Sequence, residues 1–165
     1  MDEKDAALLF ELDQDPDVMK YINGGNPTSM DDIVNIFVPR VLSFTNKEQG
    51  WGLWKITRNE DQQFLGWVLV RPMDFFTEQR DDTDLELGWR FNKAAWGAGY
   101  ATEAAKHIAA HLKQNPHTLA FSASALEGNS GSINIMKKLG MRYIKHFTHT
   151  DARGDHNAVL YSMTL

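Results

Sequence analysis

A mixed α/β domain with a largely antiparallel sheet is the fold class this sequence predicts, and three observations predict it. Helical and strand periodicities follow one another as helices, a three-strand meander, a helix, a strand, a helix and a closing hairpin. The strand pattern Leu85-Glu86-Leu87-Gly88-Trp89-Arg90-Phe91 runs through Trp96-Gly97-Ala98-Gly99-Tyr100 directly into a helical pattern. The 165 residues hold no internal repeat, low-complexity stretch or linker, so one domain over 1–165 is expected.

Each element has a local reason. Ala6, Leu8, Leu9, Phe10 and Leu12 suit a short helix, which Asp15-Pro16 ends before another turn from Val18 to Ile22. Asn23-Gly24-Gly25-Asn26-Pro27 reads as a loop, because Gly, Asn and Pro each favour turn backbones. Ser29 with Asp32 resembles a capping box, and Ile33, Ile36, Phe37, Val41 and Phe44 follow at helical spacing, with Pro39 a kink or break. Trp51 to Thr57 and Phe64 to Val70 form a hairpin around Arg58-Asn59-Glu60-Asp61-Gln62, and Asp84 to Phe91 is a third strand. The next helix turns Ala101, Ala104, Ala105, Ile108 and Leu112 to one side and Glu103, His107 and His111 to the other, and ends at Asn115-Pro116. Leu119 to Ala125 is a buried strand, and Asn129 to Leu139 a helix with Ile133, Met136 and Leu139 inward and Gly140 at its C′ position. Strands over Arg142 to His149 and Asn157 to Thr164 close the chain, joined by Asp151-Ala152-Arg153-Gly154-Asp155.

Composition narrows the function. No cysteine is present, which removes disulfides, thiolate nucleophiles and thiolate metal ligands together. A formal charge of −5, with no basic cluster beyond Lys137-Lys138, argues against a nucleic-acid partner. No apolar run approaches the roughly 18 residues of a spanning helix. Met1-Asp2-Glu3-Lys4-Asp5 is acidic where a signal peptide is basic, so a cytoplasmic protein with no membrane partner is expected. His107 and His111 stand four apart without a third ligand, and His146 and His149 point to opposite strand faces, so no metal is expected.

The glycine turn carries the sharpest signal. Glycine at 97 and 99 permits positive φ and removes the Cβ that would block close approach, while the helix that opens behind them aims backbone N–H groups at one point. Such a turn suits a phosphate, although the dinucleotide pattern GxGxxG is not met because residue 102 is Thr.

These residues resemble the GNAT superfamily of acetyltransferases, and its branch of ribosomal-protein N-terminal alanine acetylases. The resemblance runs from about residue 6 to the C-terminus and is strongest at Asp15-Pro16-Asp17-Val18-Met19-Lys20-Tyr21-Ile22, at Glu86 to Ala105, and at Asn129-Ser130-Gly131-Ser132 leading to Lys138-Leu139-Gly140-Met141. It implies a splayed sheet in which strands 84–91 and 119–125 start side by side and diverge, leaving room for the pantetheine arm of acetyl-CoA. The pantetheine amides would pair with backbone at Trp89, Arg90 and Phe91; the diphosphate would sit on Trp96, Gly97, Ala98, Gly99, Tyr100 and Ala101; the Asn129 amide would hold the cofactor arm. Trp89 and Trp96 equally suit a core.

By the same resemblance Glu86 is the first candidate base, directly or through a water, and His149 the second. A solvated surface acid is the plain alternative for Glu86. Many superfamily members protonate the departing thiolate with a tyrosine, but the matching position here is Met136, and the branch motif points to Ser132 instead. Ser132 also suits a helix N-terminus, where hydroxyls cap. Tyr21, Asn23 and Asn26, with Phe75, Phe76 and Arg80, are placed to shape the acceptor site.

Two departures stand out. The superfamily's phosphate motif opens with Gln or Arg three residues before the first glycine, where this chain has Ala94, and the usual first strand is missing ahead of the first helix. A six-stranded sheet with 51–57 at an edge would leave Trp51 and Trp54 beside unpaired backbone able to recruit a second copy, so a homodimer is one expectation. The preferred function is transfer of acetyl from acetyl-CoA to a primary amine, a peptide N-terminus or a small amine. The alternative is a CoA-binding sensor without turnover.

Overall fold

The structure is a computed structural model and describes residues 1–165. Its elements are α1 (Ala6–Leu12), α2 (Pro16–Asn23), α3 (Met30–Asp32), α4 (Val38–Phe44), β1 (Gly52–Thr57), β2 (Phe64–Met73), β3 (Asp81–Phe91), α5 (Tyr100–Leu112), β4 (Ala120–Leu126), α6 (Ser130–Leu139), β5 (Arg142–Asp151) and β6 (Gly154–Thr164). The six strands form one sheet in the order β1-β2-β3-β4-β6-β5, so the expected mixed α/β architecture with a mostly antiparallel sheet is present. Two compact units divide the residues: Met1–Arg71 with Trp89–Ala101, and Pro72–Gly88 with Thr102–Leu165.

In the first unit the helix signals act as the sequence predicts. Asp15 accepts the Asp17 N–H at 2.8 Å with Pro16 in the first turn, and Gly24 at φ +84° closes α2. Ser29 accepts the Asp32 N–H at 3.0 Å. Pro39 does not break the helical path: the turn before it, Ile33–Phe37, widens into a π-helix that runs on into α4. A proline lacks an N–H and its ring crowds the carbonyl one turn back, and the wider turn absorbs that misfit. Leu9, Leu12, Met19, Ile33, Val41, Phe44 and Val68 are buried, and each such side chain removed from water stabilises by about 1.5–3 kcal/mol.

β1 is the edge strand, but the expectation of unpaired backbone at Trp51 is corrected. Trp51 exchanges both backbone hydrogen bonds with Asn46, at 2.9 and 3.1 Å, and the Trp54 indole N–H donates to the Gly50 carbonyl at 2.9 Å. The Met1 ammonium donates to the Leu53 carbonyl at 2.6 Å, and Lys55 pairs with Asp5 at 2.9 Å, so the N-terminal segment covers part of the edge. On β2, Gly66 sits at φ +152°, and a Cβ there would lie 2.2 Å from the Arg90 carbonyl oxygen and 2.6 Å from the Phe91 Cα.

In the second unit β4 lies between β3 and β6. It pairs antiparallel with β6 along its full length, from Ala120↔Thr164 to Leu126↔Ala158. With β3 it pairs in parallel only at Asp84↔Ala120, Leu85↔Phe121 and Glu86↔Ser122. Leu85, Leu87 and Phe121 are buried, and Leu87 and Phe121 meet Ala109 of α5 and Leu139 of α6 in one apolar groove. Side chains alternate along a strand, so Asp84, Glu86 and Ser122 share the opposite face. Asn129 caps α6 by accepting the Ser132 N–H at 3.1 Å, and Gly140 ends it at φ +91°.

Candidate active site

The glycine turn belongs to the first unit and is open. Gly97 and Gly99 take φ of +76° and +87°, a backbone that costs an L side chain about 1–2 kcal/mol. A Cβ at either would meet nothing within 4 Å. The N–H groups of Gly97 to Ala101 donate to no carbonyl in a turn or cap, so a cluster of donors at the mouth of α5 is left for an acceptor from outside the chain. That donor set fits a diphosphate. Trp96 is 50% exposed, which sets aside the core reading, and its indole N–H donates to the Phe91 carbonyl at 2.9 Å. One carbonyl of the 89–91 segment therefore already holds a partner.

Arg90 does more than lend backbone. Its guanidinium meets Asp13 at 2.5 Å with side-chain exposures of 10% and 4%, and lies 5.0 Å from the Trp67 ring centre. Thr28 donates to the other Asp13 oxygen at 3.0 Å, so the pair ties the end of α1 and the loop before α3 to β3. The Arg90 Nε and the Trp67 indole N–H are buried without acceptors. A cation also comes near the turn from the β1–β2 hairpin. Hydrogen bonds that the Arg58 guanidinium donates to Asp61 and then to the Tyr100 phenol oxygen hold it above the ordinary arginine value, and Arg58 in turn holds Asp61 down at about 2. Arg58 thus brings charge to the first residue of α5, where Ala94 supplies none.

Of the acceptor-site candidates in this unit, Tyr21 keeps a half-buried ring with the Lys20 ammonium 5.3 Å from its centre. Asn23 is used by the loop itself. Its side chain accepts the Asn26 N–H at 3.0 Å and donates to the Asn26 carbonyl at 2.8 Å, while Asn26 donates back to the Asn23 carbonyl at 2.9 Å.

In the second unit Glu86 is half-buried on β3, at the last register before the strands part. β4 continues to Leu126, in register with β6 throughout, whereas its register with β3 ends at Glu86↔Ser122. Asn129 and Ser132 follow the end of β4. Asn129 is the helix cap, accepting the Ser132 N–H, and Ser132 is half-buried in the first turn of α6. Met136, at the usual tyrosine position, is 1% exposed and offers no proton. Phe76 is 45% exposed with Phe75 edge-on at 5.1 Å, and the Arg80 guanidinium lies 4.4 Å from the Phe75 ring. His149 is not brought to Glu86. It pairs with His156, whereas Ser122, the partner of Glu86, pairs with Ser162. At 3.3 Å per residue that separation is about 20 Å along β6.

One pair was invisible to the sequence reading. The Ser122 hydroxyl donates to Asp84 Oδ2 at 2.7 Å, and the other oxygen, Oδ1, is buried without a donor. Burial, against the relief of that hydrogen bond and with the charges of Asp81, Asp74 and Glu86 adding to it, holds the Asp84 carboxyl above the usual carboxylate range.

No group of three or more His, Cys, Asp or Glu residues is arranged to hold a metal ion, and no helix is long and apolar enough to cross a membrane. The family model described as an acetyltransferase (GNAT) domain matches residues 1–142. The uncharacterized N-acetyltransferase YnaD of Bacillus subtilis is 32% identical over 142 residues, covering 84% of this chain and 74% of that protein. Among solved structures, aminoglycoside acetyltransferase AAC(6')-Ib in complex with coenzyme A is 18% identical with a TM-score of 0.77, over 99% of this chain and 91% of that one. The ribosomal-protein-alanine N-acetyltransferase of Brucella melitensis is 14% identical with a TM-score of 0.74, over 100% of this chain and 97% of that one. At those identities the two structures speak to the fold, whereas the family match and the YnaD relative reach across most of the sequence, and on that footing the chain belongs to the GNAT acetyltransferase family.

Proposed function

We propose that this protein transfers the acetyl group of acetyl-CoA directly to a primary amine, with a peptide N-terminal α-amine as the favoured acceptor and the cytoplasm as its compartment. The observation that carries the reading is the early parting of β3 and β4. Three paired registers on one edge of β4, against full pairing on the other, leave main-chain groups that the pantetheine amides can satisfy. Trp89 and Arg90, with the Phe91 N–H, would take that arm, and the donors of Gly97 to Ala101 would take the diphosphate beside Trp96, whose own N–H donates to the Lys93 carbonyl. Asn129 keeps its side-chain N–H groups for the cofactor arm while its oxygen caps α6.

Bound acetyl-CoA supplies an activated acyl carbonyl. With no cysteine in the chain, the amine attacks that carbonyl itself and no acyl-enzyme forms on a thiolate. Glu86 accepts the amine proton, directly or through a water, and Ser132 donates a hydrogen bond to the sulfur as the thiolate leaves. A thiol pKa of about 8.5 makes that second task light. An α-amine, with a pKa of about 8, is roughly a tenth neutral at pH 7, far more than a lysine near 10.4, so a carboxylate base suffices.

Short peptides with varied N-termini, offered beside small amines with acetyl-CoA, test the proposal through release of free CoA. Turnover on at least one amine is the expected result. A protein that binds acetyl-CoA and releases no CoA with any acceptor is the sensor that the buried Met136 would allow. One that binds no acetyl-CoA overturns both readings.

A further inference from the structure

Asp84 is a half-buried carboxyl in the second unit that the transfer reaction leaves unused, and its surroundings give it a direction. On the shared face of β3 and β4, Ser122 lies in register with Glu86 and donates its hydroxyl hydrogen to Asp84 Oδ2 at 2.7 Å. Neighbouring strands lie about 4.7–4.9 Å apart, so Ser122 and Glu86, in register, send their side chains out side by side on this face. An ionised carboxylate accepts and never donates, so Asp84 fixes which way the Ser122 hydrogen points. That bond leaves the Ser122 lone pairs to accept a hydrogen from a second donor. Ser122 itself is 2% exposed, which keeps bulk water from breaking the link.

We propose that Asp84 is the proton store of this site: a positioning residue that, through Ser122, clears the proton Glu86 takes from the amine. The proposal rests on Glu86 as the base. In the step, the amine proton passes to the Glu86 carboxylate, and the protonated Glu86 donates to the Ser122 oxygen directly or through one water. Ser122 releases its own hydrogen to Asp84 Oδ2. Glu86 is returned as a carboxylate, Ser122 is unchanged, and the half-buried Asp84 becomes a neutral acid that gives its proton to solvent water before the next turnover; no electrons move. The groups that bear on Asp84 favour this end point. Oδ1 has no donor to stabilise a charge, and the carboxylates of Asp74 in the β2–β3 loop and of Asp81 and Glu86 on β3 all disfavour a further negative charge, while Ser122 on β4 is its sole hydrogen-bond donor.

The test uses the whole protein with the best acceptor from the amine panel. Asp84→Asn and Ser122→Ala should each lower kcat about 10-fold, a modest share of what acid–base groups supply, with the KM for acetyl-CoA unchanged and the double variant no slower than either single one. Small diffusible bases such as imidazole should restore kcat in Asp84→Asn in proportion to their concentration and leave the wild type unaffected. Wild-type kcat in both variants, or loss that no added base repairs, overturns the relay. A carboxyl titration by NMR of the native protein and of Glu86→Gln covers the case in which Asp84→Asn does not fold: Asp84 should titrate above an ordinary aspartate, and lower once residue 86 is uncharged. An Asp84 that titrates identically in both overturns the coupling. Full turnover in Glu86→Gln removes the base assignment itself, whereas loss there with full turnover in Asp84→Asn removes only the store.

Discussion

The glycine turn and the polar face of β3 and β4 are built on opposite principles. Around Gly97 and Gly99 the groups proposed to hold the diphosphate are main-chain N–H donors, and a Cβ would meet open space. On the Asp84, Glu86 and Ser122 face the groups proposed to act are side chains, and the backbone serves as register that places Ser122 opposite Glu86. The difference teaches what each region tolerates. A main-chain site is damaged by changes of conformation and is indifferent to most changes of chemistry; a side-chain site is the reverse.

Substitutions can break this contrast in order of effect. Glu86→Gln keeps shape and removes the proposed base, so kcat should fall at least about 100-fold while acetyl-CoA affinity holds, as steady-state rates beside calorimetric binding would show. Affinity retained with undiminished kcat would take Glu86 out of the chemistry. Gly99→Ala should act the other way, weakening acetyl-CoA binding about 10-fold through the cost of a left-handed alanine, with kcat at saturation little altered. Ser132→Ala should lower kcat by less than about 10-fold, because water can protonate so weak a base as a thiolate; a larger loss would give the hydroxyl a greater part than the geometry suggests.

The smallest effect concerns the hairpin cation. Asp61 is held at about 2 by Arg58, below the unfolded value of about 3.9. For a carboxyl depressed on folding, the stabilisation is complete above the unfolded value and is lost as pH falls through the folded one. Between roughly pH 4 and 2 the Asp61 carbon resonance should shift with that low midpoint. Arg58→Gln should return it to the ordinary range and weaken acetyl-CoA binding by no more than a few-fold, the scale of an exposed charge.

The sequence made local devices legible and long-range ones illegible. Ser29, Asn129 and Gly140 announce helix ends because a cap is a matter of three or four adjacent residues. The parting of β3 and β4 was reached through family resemblance, since no residue in 119–125 signals an open edge. Asp13 with Arg90, and Asp84 with Ser122, left no trace, because partners 77 and 38 residues apart are joined only by the fold. Size alone suits Trp96 to a core as well as to a ligand contact, and here it stands 50% exposed with its indole N–H bound to the Phe91 carbonyl. Pro39 was read for its own chemistry, whereas the neighbouring turn had the freedom to widen.

Gly66 carries a quieter lesson. It touches no proposed ligand, yet the space it leaves empty is what lets the peptides of Arg90 and Phe91 lie where they do. A library of random variants sorted for acetyl transfer should therefore return almost nothing but glycine at this position. A lesion there would resemble a cofactor defect in every assay while all the groups proposed to meet the cofactor kept their chemical identity.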